Sequence, residues 1–455
     1  MTTTRRRETP PRPWLALIVL ASAVGLDVMG IAVVNTALPV IGADLGMGDG
    51  ALPWVMTLYA VAFAGFLLPG GRLADVLGRR RVFVAGVAIY AVGSAGAAAA
   101  PTGALLLIAR LLQGTGAAVC GPPALALIPE VFPDPARRAK AVSVYTAVGA
   151  GSFGGGLVLG GVLTELAGWR SVFGVLAAVA LLVTAVAPVL LPPAPQLPRQ
   201  SLDLPGGLLV STGLIALVLG VGSTLVFVLI GLVLLTGFVV RERMAREPLL
   251  PLAILTGAPV RAATAAGLVF FTALNGLLYF APLYLQNVLS YSPMASGLAI
   301  VPMSATVILS ARAAAALLPK VGMRWLLTGG LLLMTVGVAT WLMTGTGTGY
   351  WTGLLPGIVL MSVGQGFVFT TMTVASLTGV APERHGVAGA FNITMQQIGA
   401  GLGVAVVTAI AAAATTPGVG GSITGYHAGI GAAAAAALLG AIATAYTLRR
   451  RTNER

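Results

Sequence analysis

Fourteen apolar runs follow one another along this 455-residue chain, each bounded by charge, glycine or proline. They read at about 14–38, 52–70, 82–100, 104–128, 141–163, 171–191, 205–221, 224–240, 262–285, 295–317, 325–343, 351–374, 386–412 and 427–448. Most reach the roughly 17–25 residues that a helix needs to cross a bilayer. In hydrocarbon a backbone must satisfy its own hydrogen bonds, so such runs are helices. Charged residues make up only 9% and hydrophobic residues 57%, against about 25% charged in a soluble domain. That excludes a soluble fold. The first run follows Arg5–Arg7 like a secretory leader, but it is too long and lacks a convincing cleavage site. It reads as a retained first helix.

A net charge of +13 would suggest nucleic acid on a soluble protein. Here its distribution argues otherwise. Of the 26 basic residues, all but Arg110 and Arg170 fall in alternate intervals or at the helix ends beside them. Basic residues held on the cytoplasmic side set membrane topology, so both termini are expected in the cytoplasm of a multi-pass cell-membrane protein. No nucleic-acid partner is expected. Between Arg199 and Arg241 an even number of crossings is required. Two helices of about 17 residues span only ~26 Å of a ~30 Å core, which is thin but sufficient for an inserted hairpin. Gly220–Thr224 would form its tight outer turn.

The two ends of the chain echo each other. Gly114 and Gly116 recur as Gly364 and Gly366, and Gly149-Ala150-Gly151 as Gly399-Ala400-Gly401. This cadence reads as two six-helix halves in parallel repeat. The fold class is therefore an all-α membrane protein of two six-helix bundles plus an inserted two-helix hairpin, fourteen transmembrane helices in all. The division is 1–191, a linker with the hairpin over 192–260, and 261–455. One cysteine, Cys120, and two histidines, His385 and His427, leave no disulfide and no Cys/His metal site. No cofactor is expected.

Two charges lie well inside helices. Asp27 is mid-span in the first and is the only acidic residue deep in any run. An aspartate at a helix centre costs ~2.5–3.5 kcal/mol on insertion scales, so it is usually paired, solvated or protonatable. It reads as a proton carrier or as a structural hydrogen-bonding group between helices. Arg110, early in the fourth helix, needs a carboxylate, carbonyls or a wet cavity. It either meets Asp27 or snorkels outward. The stretch Gly71–Arg81 reads as a loop joining helices two and three, with Asp75 placed to cap a helix or pair with arginine. The fifth helix is rich in glycine, with Gly156, Gly160 and Gly161 among seven, which allows close helix contact. Polar residues in other spans are Asn35, Gln113, Asn275, Gln365, Asn392, Gln396 and Gln397. With Tyr59, Phe63, Tyr279, Tyr284 and Phe391 they read as cavity lining for a lipophilic ligand or as plain packing.

Gly71, Asp75, Gly78, Arg79 and Arg80 resemble the signature Gly-x-x-x-Asp-Arg-x-Gly-Arg-Arg/Lys of the major facilitator superfamily, with Val76 where the pattern has arginine. Asp27…Asn35-x-Ala37-Leu38-Pro39 is similar to the first-helix motif of its fourteen-span drug:proton antiporters. Arg110-x-x-Gln113-Gly114-x-Gly116 resembles the fourth-helix motif tied to proton coupling. Gly156-Leu157-Val158-Leu159-Gly160-Gly161 resembles the antiporter motif, with Leu157 replacing its proline. The resemblance implies a monomeric, non-enzymatic efflux transporter, driven by the proton gradient, that exports hydrophobic or amphipathic drugs. A metabolite exporter or uptake permease on the same scaffold is the nearer alternative. A membrane sensor or enzyme is the more distant one.

Overall fold

The computed structural model describes residues 12–48, 50–192, 203–221, 224–245, 257–381, 385–415 and 419–449. Its α-helices are α1 (Pro13–Asp44), α2 (Trp54–Leu77), α3 (Arg79–Ala98), α4 (Gly103–Val131), α5 (Pro135–Ala167), α6 (Trp169–Leu190) and α7 (Leu204–Val221). The remainder are α8 (Leu225–Met244), α9 (Ala258–Asn287), α10 (Pro293–Val321), α11 (Met323–Ala339), α12 (Leu355–Leu377), α13 (His385–Ala414) and α14 (Val419–Arg449). A 3-10 turn at Thr340–Met343 and a π turn at Tyr350–Leu354 lie between α11 and α12. Thirteen of the helices are long and apolar enough to span a membrane, and α7 is the shorter apolar partner of α8. We call the face at which α1 begins the near face and its opposite the far face.

Local chemistry sets the helix ends. Pro13, Pro135 and Pro293 open α1, α5 and α10, where a missing N–H costs nothing. Thr102, Asp134 and Ser292 cap α4, α5 and α10 by accepting from the backbone N–H three residues on. The expected loop at Gly71–Arg81 is instead helix with a one-residue joint. α2 runs on to Leu77, Gly78 turns the chain at φ 96°, and Arg79 begins α3. A side chain would be strained in that left-handed region, so the glycine fixes where one helix stops and the next starts. Gly322 makes the same joint between α10 and α11, at φ 84°.

Helices α1–α6 pack on one another as one bundle and α9–α14 as a second, with α5 against α10 and α2 against α13 across the seam. The repeat is present, but its register in α4 and α12 differs from the spacing of 250 read from glycine pairs. An added Cβ on Gly93 would strike the backbone N of Gln113, and on Gly337 that of Met361; Gly86 meets Cys120 as Gly330 meets Val368. These contacts superimpose at offsets of 244 for α3 on α11 and 248 for α4 on α12. Gly364 is thus the counterpart of Gly116, not Gly114. Two glycines spaced by two residues match equally well when slid by one pair, which is how sequence spacing misleads here.

The inserted hairpin packs on both bundles, chiefly on α2 of the first and also on α13 of the second. Ser211 Oγ donates to the Gly65 carbonyl at 2.7 Å, and Val210 and Leu214 join Ala64, Phe238 and Phe391 in a small apolar cluster. Arg241 Nε donates to Asp203 Oδ1 at 3.2 Å where the hairpin begins and ends. The expected turn at Gly220–Thr224 is bounded by α7 and α8, but residues 222–223 lie outside the described residues, as does Arg199.

Candidate functional site: a charge pair bridged by a tyrosine

The structure gathers Asp27, Tyr59, Arg110 and Gln113 at the middle of the first bundle. The Tyr59 hydroxyl on α2 donates to Asp27 Oδ1 on α1 at 2.5 Å. The Arg110 guanidinium carbon on α4 lies 4.3 Å from the centre of the same ring. Arg110 Nε donates to the Val55 carbonyl at 2.8 Å, and Nη1 donates to Gln113 Oε1 at 2.5 Å. Gln113 Nε2 in turn donates to Ser94 Oγ at 2.9 Å, and the Tyr90 hydroxyl donates to the Leu26 carbonyl at 2.7 Å. Arg110 is 1% exposed, so it does not snorkel. Among the described residues the two charges form no direct ion pair. They meet through Tyr59.

Glycines make this convergence geometrically feasible. Gly114 leaves room for the Tyr59 backbone, Gly93 for that of Gln113, and Gly30 for the Tyr90 hydroxyl. At these points helix axes approach more closely than any side chain permits. Asp27 is part-buried, while Arg110 and Gln113 are fully buried.

The second bundle lacks this chemistry. In the structural register Arg110, Gln113, Tyr90 and Ser94 correspond to Ile358, Met361, Met334 and Val338, all buried in the apolar core. What it contributes is amides. A cleft at the seam is walled by Met56, Tyr59 and Arg110 on one side and by Asn275, Gln397 and Val404 on the other. Gln396 points elsewhere: its Cγ, with Asn392 Oδ1 and Met372 Sδ, crowds Gly267. The Asn392 Oδ1 and Gln365 Oε1 atoms are buried without hydrogen-bond partners, as are both amide atoms of Asn35. Tyr279 is buried and stacks edge-on against Phe280.

Five of the seven α5 glycines lie at contacts of two kinds, while Gly151 and Gly155 meet nothing. Gly156 and Gly160 face α1, where an added Cβ on Gly156 would meet Ala32 and Met29 and one on Gly160 would meet Val33. Gly161 instead faces the second bundle, against Pro293 and Met294 of α10, and Gly297 of α10 reciprocates against Leu157. Close approaches between α5 and α10 run from Gly154 with Ser304 to this far end. Two hydrogen bonds join the bundles there, one between α5 and α10 and one between α1 and α9. Glu165 Oε2 accepts from Met294 N at 3.0 Å, and Gln286 Nε2 donates to the Thr36 carbonyl at 2.9 Å. The bundles are thus clasped on the far face.

On the near face Arg79 reaches both Asp75 at 3.7 Å and Glu130 of α4 at 2.8 Å. Arg80 donates to the Pro188 and Leu191 carbonyls at the end of α6, and Gly71 packs on Pro122. These five signature residues tie α2, α3, α4 and α6 together within one bundle. Sequence reasoning missed Glu130, Glu165 and the bridging role of Tyr59. Nothing local in the sequence says that a glutamate from α5 reaches the first turn of α10.

The profile of the Major Facilitator Superfamily matches residues 20–404. The chain belongs to that superfamily. The transporter is 40% identical to the puromycin resistance protein pur8 of Streptomyces alboniger over 420 residues, 89% of this chain and 83% of the relative. It is 34% identical to the cephamycin export protein CmcT of Amycolatopsis lactamdurans over 415 residues, 88% and 85% of the two chains. In fold it resembles a bacterial homologue of the human lysosomal transporter Spinster in an inward-facing, occupied conformation. That likeness has a TM-score of 0.71 at 16% identity, covering 96% of this chain and 97% of the other. The transporter is a multi-pass membrane protein and not an enzyme.

Proposed function

We propose that this transporter exports hydrophobic or amphipathic small molecules, drugs and antibiotics among them, in exchange for protons carried by Asp27. The observation that supports it best is the part-buried Asp27 carboxyl, held by Tyr59, which with Arg110 lines the inter-bundle cleft. An antiporter needs a group whose occupation by a proton and whose response to substrate are linked. A lone intramembrane carboxyl adjoining the cleft meets that need. The export activities named for the relatives support the direction and the substrate class.

Basic residues confined to one side make the near face cytoplasmic, with both termini there. The far-face clasp then closes the extracellular side. Substrate enters from the inside, the clasp opens as the bundles rock, and substrate leaves outward while Asp27 takes up a proton. Each proton returning inward brings ~2.3 kcal/mol per 100 mV, enough for roughly a 50-fold gradient of a neutral substrate. No cofactor enters this cycle, and one chain holds the whole path. The test is expression in a pump-deficient host, with a susceptibility panel that includes puromycin. Protection that disappears when the proton gradient is collapsed supports proton-coupled export; a host sensitised by uptake supports the permease alternative.

A further inference from the structure

We propose that Tyr59 is the positioning residue that ties the proton site to the substrate cleft. This rests on the reading of Asp27 as proton carrier. Three contacts converge on this one buried side chain. Its hydroxyl donates to Asp27, its ring face carries Arg110, and its flank walls the cleft opposite Asn275 and Gln397. Its backbone is fixed, because its carbonyl lies in the gap left by Gly114. Only the side chain is free to respond. A ligand seated in the cleft presses on the ring, and a turned ring withdraws its hydroxyl from Asp27 and uncovers Arg110 together. Conversely, a carboxylate accepts the phenol hydrogen bond strongly, whereas a protonated carboxyl accepts it more weakly and brings an O–H donor of its own. The position of the ring therefore reports the proton state to the cleft, and linkage requires the ligand to influence the proton in return.

The groups facing Tyr59 limit what else could act. α1 contributes Asp27, α3 contributes Tyr90 and α4 contributes Arg110, while among the described residues the polar cleft lining from α9 and α13 is the amides of Asn275 and Gln397. The second bundle repeats none of this. By the offset of 244 that aligns Gly78 with Gly322, Tyr59 corresponds to Met303, a buried side chain with neither hydroxyl nor aromatic face. Where arginine is replaced by Ile358, the tyrosine is replaced too. The two residues occur as a pair and are absent as a pair.

The test is an infrared titration of the purified full chain, with the Asp27 carboxyl band assigned by its loss in Asp27→Asn. Tyr59→Phe keeps the ring over Arg110 and removes only the hydroxyl. It should fold as the wild type and displace the titration by about one pH unit, the scale of one hydrogen bond to a charged group. Ethidium, as an amphipathic probe, should displace the wild-type titration and leave that of Tyr59→Leu unmoved. A Tyr59→Phe titration superimposable on the wild type would overturn the proposal, as would an ethidium effect undiminished in Tyr59→Leu. A wild-type protein with no band that Asp27→Asn removes would instead refute Asp27 as the proton carrier.

Discussion

Gly161→Ala is expected to weaken the closed far face specifically. The added Cβ would lie 2.7 Å from the Pro293 carbonyl oxygen and 2.9 Å from Met294 Cα, where ordinary contact begins near 3.4 Å. Both neighbours are backbone, so α5 and α10 must part by about 0.5–0.7 Å. Overpacking of this kind costs about 1–3 kcal/mol. Because α5 and α10 belong to different bundles, only the conformer with the far face closed feels the cost. The closed-to-open ratio should fall by roughly 5–150-fold. Thr36→Cys provides the reporter. Thr36 is fully buried at the junction of Gly160 and Gly297, and the native Cys120 is buried elsewhere. Labelling by a membrane-impermeant maleimide from outside should accelerate in the Gly161→Ala background. Gly155→Ala on the same helix is the control, since a Cβ there meets nothing within 4 Å. Unchanged labelling with Gly161→Ala, or an equal increase with Gly155→Ala, would refute the reasoning.

Glu165→Ala removes the acceptor for Met294 N and should raise the same labelling rate by less than Gly161→Ala does, since that carboxylate is exposed. Gly78→Ala places a side chain at φ 96°, at a cost of about 1–2 kcal/mol; its Tm in detergent should fall by about 1–2 °C while that of Gly155→Ala stays put. Tags at Gly222 and Gly347 should be accessible from outside and one at Arg199 from inside. A cytoplasmic Gly222 would remove the hairpin as a pair of spans.

The membrane architecture was legible because lipid imposes a one-dimensional rule: a span is a run of apolar residues of sufficient length. Helix ends were less so, since α2 and α4 continue past the hydrocarbon-length runs into segments bearing Arg72, Asp75 and Glu130. Asp27 and Arg110 were conspicuous as charges in apolar surroundings, whereas Tyr59 was one aromatic among many. Its importance comes from three contacts across α1, α4 and the seam, which no local pattern encodes. That a glycine-rich α5 allows close helix contact was legible in the sequence. The glycines' partners were not: Gly160 packs within one bundle and its neighbour Gly161 across two, a one-residue difference of helix face. The cleft amide Gln397 was likewise indistinguishable in sequence from Gln396.

The central claim is that Asp27 carries the coupled proton, and Asp27→Asn tests it most directly. The substitution preserves size and a hydrogen-bonding partner for Tyr59 but cannot change charge. Reconstituted in vesicles with a pH gradient as the sole driving force, the wild type should accumulate an exported drug such as puromycin against its gradient. Asp27→Asn should equilibrate the drug without accumulating it, and should release no proton when the drug binds. Uphill accumulation by Asp27→Asn at the wild-type level would contradict the account and place the proton on another route.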